Sequence, residues 1–271
     1  ELVKTTMVLS KLGNIEAAQA TEYLTSTMNG FKLEAKDSMS IVDKIISLDN
    51  SFATSSAEIA SALQRSSVSA QQAGVSFEEL ASMITVVSDV SRRAPESIGE
   101  SYKTIFARYQ DILQGGVDEE GMGINNVGKA LERVGINIRD AEGGFRDFGD
   151  VLDDLYPKWE NINEVEQANI LKALAGTRQR ESLLVLLENE EKYRKALTVQ
   201  IDSEGKAIER YGEYLDGVEA AQNKMKATWE EFWQKSIDSG VITNFYEALS
   251  GLISGLGSLE RILGIVIPLV L

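Results

Sequence analysis

Among the 271 residues there is no cysteine and no histidine. Without cysteine there is neither a disulfide framework nor a thiolate nucleophile. Without histidine the commonest general base and the commonest metal ligand are missing together. Proline occurs only as Pro95, Pro157 and Pro268. With so few breakers and so much Ala, Leu, Glu, Lys and Gln, helix is the favoured local structure. Cations are in the minority: 27 Lys and Arg face 42 Asp and Glu, for a net charge of −15. That balance argues against a nucleic-acid-binding surface, which needs clustered Lys or Arg at phosphate spacing. The basic pairs are few. Arg92-Arg93 reads as charge at a helix C-terminus, and Arg194-Lys195 as surface ion-pairing partners among glutamates. Nor is there a long charge-free run: Ile262 to Leu271 spans only about 15 Å as a helix, roughly half a bilayer core.

What is present is a succession of short amphipathic helices. Leu2, Met7, Val8 and Leu12 form the apolar face of a first helix ended by Gly13, with Asn14 placed to cap the next. The second runs from about Ile15 to Asn29, burying Ile15, Ala18, Tyr23, Leu24 and Met28, with Gly30 as its stop. The third covers about Ala35 to Leu48. Ser55 with Glu58, and Ser76 with Glu79, have capping-box spacing and open helices through Ile59, Leu63 and Val68, and through Leu80, Ile84 and Val87. Pro95 suits the first turn of a helix reaching about Leu113. Such helices are too short to stand alone and must pack together or on a partner. After Leu187 the charge density rises. Leu197, Ile201, Ile208, Leu215 and Val218 have a spacing compatible with a coiled-coil seam, leading to Trp229, Phe232 and Trp233. That aromatic cluster can anchor the long helix on the preceding bundle, or form an interfacial belt before a membrane-associated segment.

Between these two regions the helical period breaks. Ile136 and Ile138 alternate with Asn137 and Arg139, a period of two, after Gly135 and before the turn pair Gly143-Gly144. This predicts a small β-hairpin or extended insertion near 136–148. A short acidic helix and a helix to Ala175 follow, with Gly176 as a left-handed cap. Thr177 is expected to cap the next helix, and Arg178 or Arg180 to bond nearby carbonyls around Gln179. Reactive constellations are lacking. Asp118-Glu119-Glu120 and Asp153-Asp154 are adjacent acids, not a spaced acid–base pair. Asp111 to Glu120 lacks the order of an EF-hand loop, and Gly121-Met-Gly-Ile is followed by no Gly-Lys-Ser/Thr. No catalytic, metal or cofactor-binding residue is assigned.

Several of these segments carry a resemblance. Gly135-Ile-Asn-Ile-Arg-Asp, Phe145-Arg-Asp-Phe with Leu152-Asp-Asp-Leu, and above all Ala173-Leu-Ala-Gly-Thr-Arg-Gln-Arg resemble the core region of phage tail tape measure proteins of the lactococcal siphophage type. Gly74-Val-Ser-Phe-Glu-Glu-Leu and Lys103-Thr-Ile-Phe-Ala-Arg are similar to the same pattern, so the likeness covers roughly residues 10 to 200. It implies a ruler for tail length, around which tube subunits polymerise, and which leaves the tube during genome ejection. Its implied partners are tail tube and tail tip proteins, tail assembly chaperones and further copies of itself. Its implied location is the virion, after assembly in the host cytoplasm, with host membrane contact through 240–271. By the same implication, Gly176 to Gln179 is a contact surface in the assembly.

The expected fold is mainly all-α. It divides into helical hairpins over 1–134, the insertion and helical corner over 135–190, a long helix or coiled coil over 191–238, and an apolar segment over 239–271. Beginning at Glu1 and ending within an apolar run, the sequence is expected to belong to a longer protein. Two other classes compete. One is a membrane-active helical protein inserting through 240–271; the other is a cell-wall hydrolase, which the missing acid–base pair ranks last.

Overall fold

The computed structural model describes residues 2–111 and 125–235. Among the described residues are twelve α-helices and no strand, so the chain is mainly all-α. In order they are α1 (Leu2–Leu12), α2 (Ala17–Phe31), α3 (Ser38–Ser51), α4 (Ser56–Gln72), α5 (Phe77–Ser91) and α6 (Pro95–Tyr109). Then come α7 (Asn126–Glu132), α8 (Phe148–Trp159), α9 (Glu164–Ala175), α10 (Arg180–Leu187), α11 (Glu190–Ile201) and α12 (Lys206–Lys235).

Local chemistry sets the boundaries. Ser55 Oγ accepts from the Glu58 N–H at 3.2 Å while Glu58 accepts from the Ser55 N–H at 2.8 Å. Ser76 and Glu79 repeat this reciprocal cap at 3.2 and 2.7 Å. Pro95 occupies the first turn of α6, where its missing N–H costs nothing. Arg92 closes α5 in the left-handed conformation, and its guanidinium donates to the Ala53 carbonyl.

Two helices lie at the centre. α5 buries residues on every side, including Phe77, Leu80, Met83, Ile84, Val86 and Val87, the pattern of a helix wrapped by others. It touches α3, α4, α6, α10 and α11. α4 packs closely on α2 and α6, and beside Ile59 and Leu63 its buried residues are small: Ser56, Ala60, Ser61, Ala62, Ser66, Ser67 and Ala70. Glycines opposite them allow near backbone contact. A Cβ on Gly30 would lie 2.5 Å from Ser67 Cβ, and one on Gly99 would lie 2.7 Å from the Ala62 carbonyl oxygen.

Several sequence expectations are corrected here. Gly30 does not stop α2; it is buried inside the helix as a crossing point, and Lys32 closes the helix in the left-handed region. Asn14 is not a cap but takes φ +50° itself, and α2 begins after Glu16 without a side-chain cap. Ala18 is exposed and Ala20 buried in its place, while Val68 is 59% exposed. The proposed seam also fails at its start. α11 packs on α3 and α5 through Tyr193, Ala196 and Gln200, which leaves Ile201 79% exposed. The turn at 202–205, with Gly205 at φ +80°, then separates α11 from α12. A heptad phase is a property of one continuous helix and is not carried through a turn.

The contacts divide the chain into one unit at Glu1–Ile208 and a second at Glu209–Leu271. The acidic run Asp118-Glu119-Glu120, Gly121 to Gly123 and the apolar segment 240–271 lie outside the described residues. So do the side chains of Trp229, Phe232 and Trp233. No helix among the described residues is long and apolar enough to cross a membrane.

Candidate functional site

The two sequence segments singled out above, the insertion and the corner, are both mounted on α6. Neighbouring residues of that helix serve them: Tyr109 holds the insertion and Arg108 holds the corner.

The insertion is a minimal hairpin. Ile136 and Ile138 are buried, and a single antiparallel bridge joins Arg139 to Phe145. The Asp140 N–H donates to the Gly144 carbonyl at 3.0 Å, and the Arg146 N–H to the Ile138 carbonyl at 2.9 Å. Asp140 Oδ1 shapes the turn by accepting from the Gly144 N–H at 2.7 Å and the Glu142 N–H at 3.1 Å. Gly143 supplies the positive φ of +85° and Gly135 one of +70°. Gly144 instead leaves room for the Asp140 carboxylate, 2.8 Å from where its Cβ would stand.

This hairpin is fastened at three points. The Lys158 ammonium donates to the Gly135 carbonyl at 2.8 Å, Arg146 pairs with Asp154 at 2.8 Å, and the Tyr109 hydroxyl donates to the Arg146 carbonyl at 2.8 Å. Behind it stands an aromatic stack. Phe148 meets Phe106 and Tyr109 edge-on, with ring centroids 5.3 and 5.2 Å apart. Burial pushes the phenols of Tyr102, Tyr109, Tyr156 and Tyr193 up from their ordinary value. Tyr102, Tyr109 and Tyr156 donate to the Met83, Arg146 and Leu186 carbonyls, at 3.0, 2.8 and 3.4 Å.

At the corner, Gly176 has φ +64° and ψ −159°. This conformation is almost confined to glycine and differs from the expected left-handed cap. The Gly176 N–H donates to the Lys172 carbonyl at 3.0 Å, which closes α9. Arg108 lies against the bare Cα, and a Cβ there would meet its Nη2 at 3.0 Å. The same guanidinium donates to the Ala173 carbonyl at 3.4 Å.

Thr177 is an exposed turn residue and not the next cap. That position falls to Gln179, whose side chain makes no capping bond. Instead Gln179 Oε1 accepts from the buried Ser101 hydroxyl at 2.7 Å. Ser182 donates to Ser101 at 3.1 Å and accepts from Arg93 at 2.9 Å. A polar clamp thus pins the corner to α6, with Arg178 and Arg180 left exposed. Nothing in the sequence marked Ser101 or Arg108, because neither breaks the apolar spacing of α6. Each charged group that fastens the hairpin has its partner: Lys158 on the Gly135 carbonyl and Arg146 on Asp154.

The family model of phage-related minor tail proteins matches residues 1–176, from α1 to the corner glycine. No solved structure matches the chain. With well over half of its length matched, the chain belongs to the family of phage-related minor tail proteins, structural components of the phage tail and so of the virion.

Proposed function

We propose that this tail protein is the core region of a tape measure protein, setting tail length without catalysing a reaction. The observation that carries the reading is the change of architecture at Lys206. Up to that point, helices of seven to 17 residues turn back on one another. From there α12 runs for 30 residues without a break. A helix adds about 1.5 Å per residue, so α12 converts residue count into about 45 Å of length. The folded unit Glu1–Ile208 cannot act as that rod, since turns and caps interrupt it at short intervals. In this reading it is the docking body, and measurement is done by α12 and the chain beyond it.

The partners that fit are tail tube and tail tip proteins, assembly chaperones and further copies of the chain. Departure from the tube precedes passage of DNA. The experiment is an in-frame duplication of residues 209–235 in the phage. Tails longer by about 40 Å, at about 1.5 Å per added residue, support the ruler. Intact, infectious tails of unaltered length would reject it.

A further inference from the structure

The stretch that ends at the Gly176 corner is locally basic up to Glu181, which lies 3.7 Å from Arg93. Residues 167–180 contain Lys172, Arg178 and Arg180 and no carboxylate, in a chain of net charge −15. Arg108 is added from α6 by its seat on Gly176 and the Ala173 carbonyl. All four side chains are exposed.

Some cations elsewhere in this acidic chain are matched: Lys44 with Glu78, Arg93 with Glu181, Arg146 with Asp154, Lys192 with Asp89 and Arg194 with Asp153. None of the four corner cations has a carboxylate within 4.0 Å among the described residues. Four exposed cations on α6, α9, α10 and the turn before α10 thus lack an acid partner, in a chain with surplus acid.

Local electrostatics point the same way. Arg180 opens α10, where the helix dipole favours an anion and disfavours a cation. Arg108 has five N–H donors, of which one is used among the described residues. Its position is fixed by a glycine conformation that few other residues can adopt, and the Ser101–Gln179 bond fixes the turn between Arg178 and Arg180. Guanidinium groups with free N–H pairs match carboxylates two bonds at a time.

We infer that the corner formed by Arg108, Lys172, Arg178 and Arg180 is a docking surface for a carboxylate-rich segment of another protein. Charge complementarity selects that occupant. The chain's overall negative field opposes nucleic acid, whose charge is dense and extended, but tolerates a short acidic segment reaching one corner. The inference does not depend on the ruler reading, since it concerns any protein that this corner meets.

The test is fluorescence anisotropy with the whole chain at low and physiological salt. A labelled oligoglutamate peptide is the probe, beside an oligonucleotide of matched charge. Binding of oligoglutamate is expected, weakening with salt. It should fall about ten-fold or more when Arg108→Glu and Arg178→Glu are combined, the scale of losing charge-assisted bonds. Arg178→Glu with Arg180→Glu is a second variant that leaves the Arg108 seat on Gly176 intact. Lys4→Glu with Lys32→Glu changes the net charge equally, on α1 and at the end of α2 instead of on α6, α9 or α10, and should leave binding unaltered.

Absence of binding to the folded wild type, or equal loss in the control pair, would overturn the proposal. Oligonucleotide binding as tight as oligoglutamate binding would overturn it in favour of a phosphate surface. Self-association at low salt that disappears in the corner variants would overturn the assignment to a foreign partner.

Discussion

Asp43 on α3 caps a helix that begins more than 160 residues later. Its carboxylate accepts from the Gly205 N–H at 3.0 Å and from the Ala207 N–H at 2.8 Å, at the first turn of α12. The side chain is only 4% exposed, yet as an anion at a helix N-terminus it is satisfied by donors and dipole together. Asp43→Ala should therefore destabilise the fold by about 1–3 kcal/mol, the cost of stranding buried N–H groups. Hydrogen exchange would rise at residues 205–209 before it rises elsewhere. Asp43→Asn retains an acceptor oxygen and should cost less. Equal exchange at 205–209 in Asp43→Ala and wild type would remove the cap from the account.

The close helix crossings make a second prediction. Gly30→Ala gains helix propensity of about 1 kcal/mol. It also drives a Cβ to within 2.5 Å of Ser67 Cβ on α4. The overlap wins, because neither backbone can move without disturbing the α2–α4–α6 contact, and overpacking of this kind costs about 1–3 kcal/mol. A lowered thermal midpoint is expected for Gly30→Ala and for Gly99→Ala. A raised midpoint in either would mean that the crossing is looser than its distances.

Gly176→Val addresses the corner. Valine is poorly suited to φ +64°, and its side chain would displace the Arg108 guanidinium. A loss of about 1–3 kcal/mol is expected in chemical denaturation. Gly217→Val is an informative contrast on α12, because a Cβ there meets nothing within 4 Å. An unaltered denaturation midpoint in Gly176→Val would refute the corner geometry.

Stability should be flat near neutral pH, since no histidine titrates there, and should fall on both flanks. On the acid side, burial raises the Asp89 carboxyl. The Lys192 bond, the Ala53 N–H and the charges of Lys192 and Arg92 outweigh it and hold the carboxyl below its ordinary value. A depressed carboxylate contributes stability above its unfolded pKa of about 4, lost as pH falls through the folded value. Asp89→Asn should flatten that acid flank in a series of thermal midpoints.

On the alkaline side the four buried tyrosines are raised. Above about pH 10 the unfolded chain releases phenolic protons that the folded chain retains, so stability declines as pH rises. Phenolate absorbance from these residues should appear together with loss of helical circular dichroism. Complete phenol ionisation with the helices intact would contradict their burial.

How much of this was legible in the sequence follows from the range of each interaction. The capping boxes at Ser55 and Ser76, Pro95 opening α6 and the alternation at Ile136 and Ile138 are satisfied within a few residues, so local spacing is enough to find them. Gly143 and Gly176 were found for the same reason, as breaks in a periodic pattern. The stop assigned to Gly30 and the seam assigned to Leu197 and Ile201 failed because each depends on a distant neighbour. Glycine in a helix reads as a stop unless the residue opposite, Ser67, is known. An apolar repeat reads as a seam until α11 spends its buried face on α3 and α5.

By itself, then, the sequence determined the class of protein: helical, acidic, without cysteine or histidine, and folded in short capped segments. The tertiary structure alone decided which groups meet across long separations: Asp43 with the start of α12, Arg108 with Gly176, Ser101 with Gln179. Periodicity and caps are properties of a few consecutive residues. Arg108 and Ser101 reach the corner from α6, a helix that only packing brings beside it.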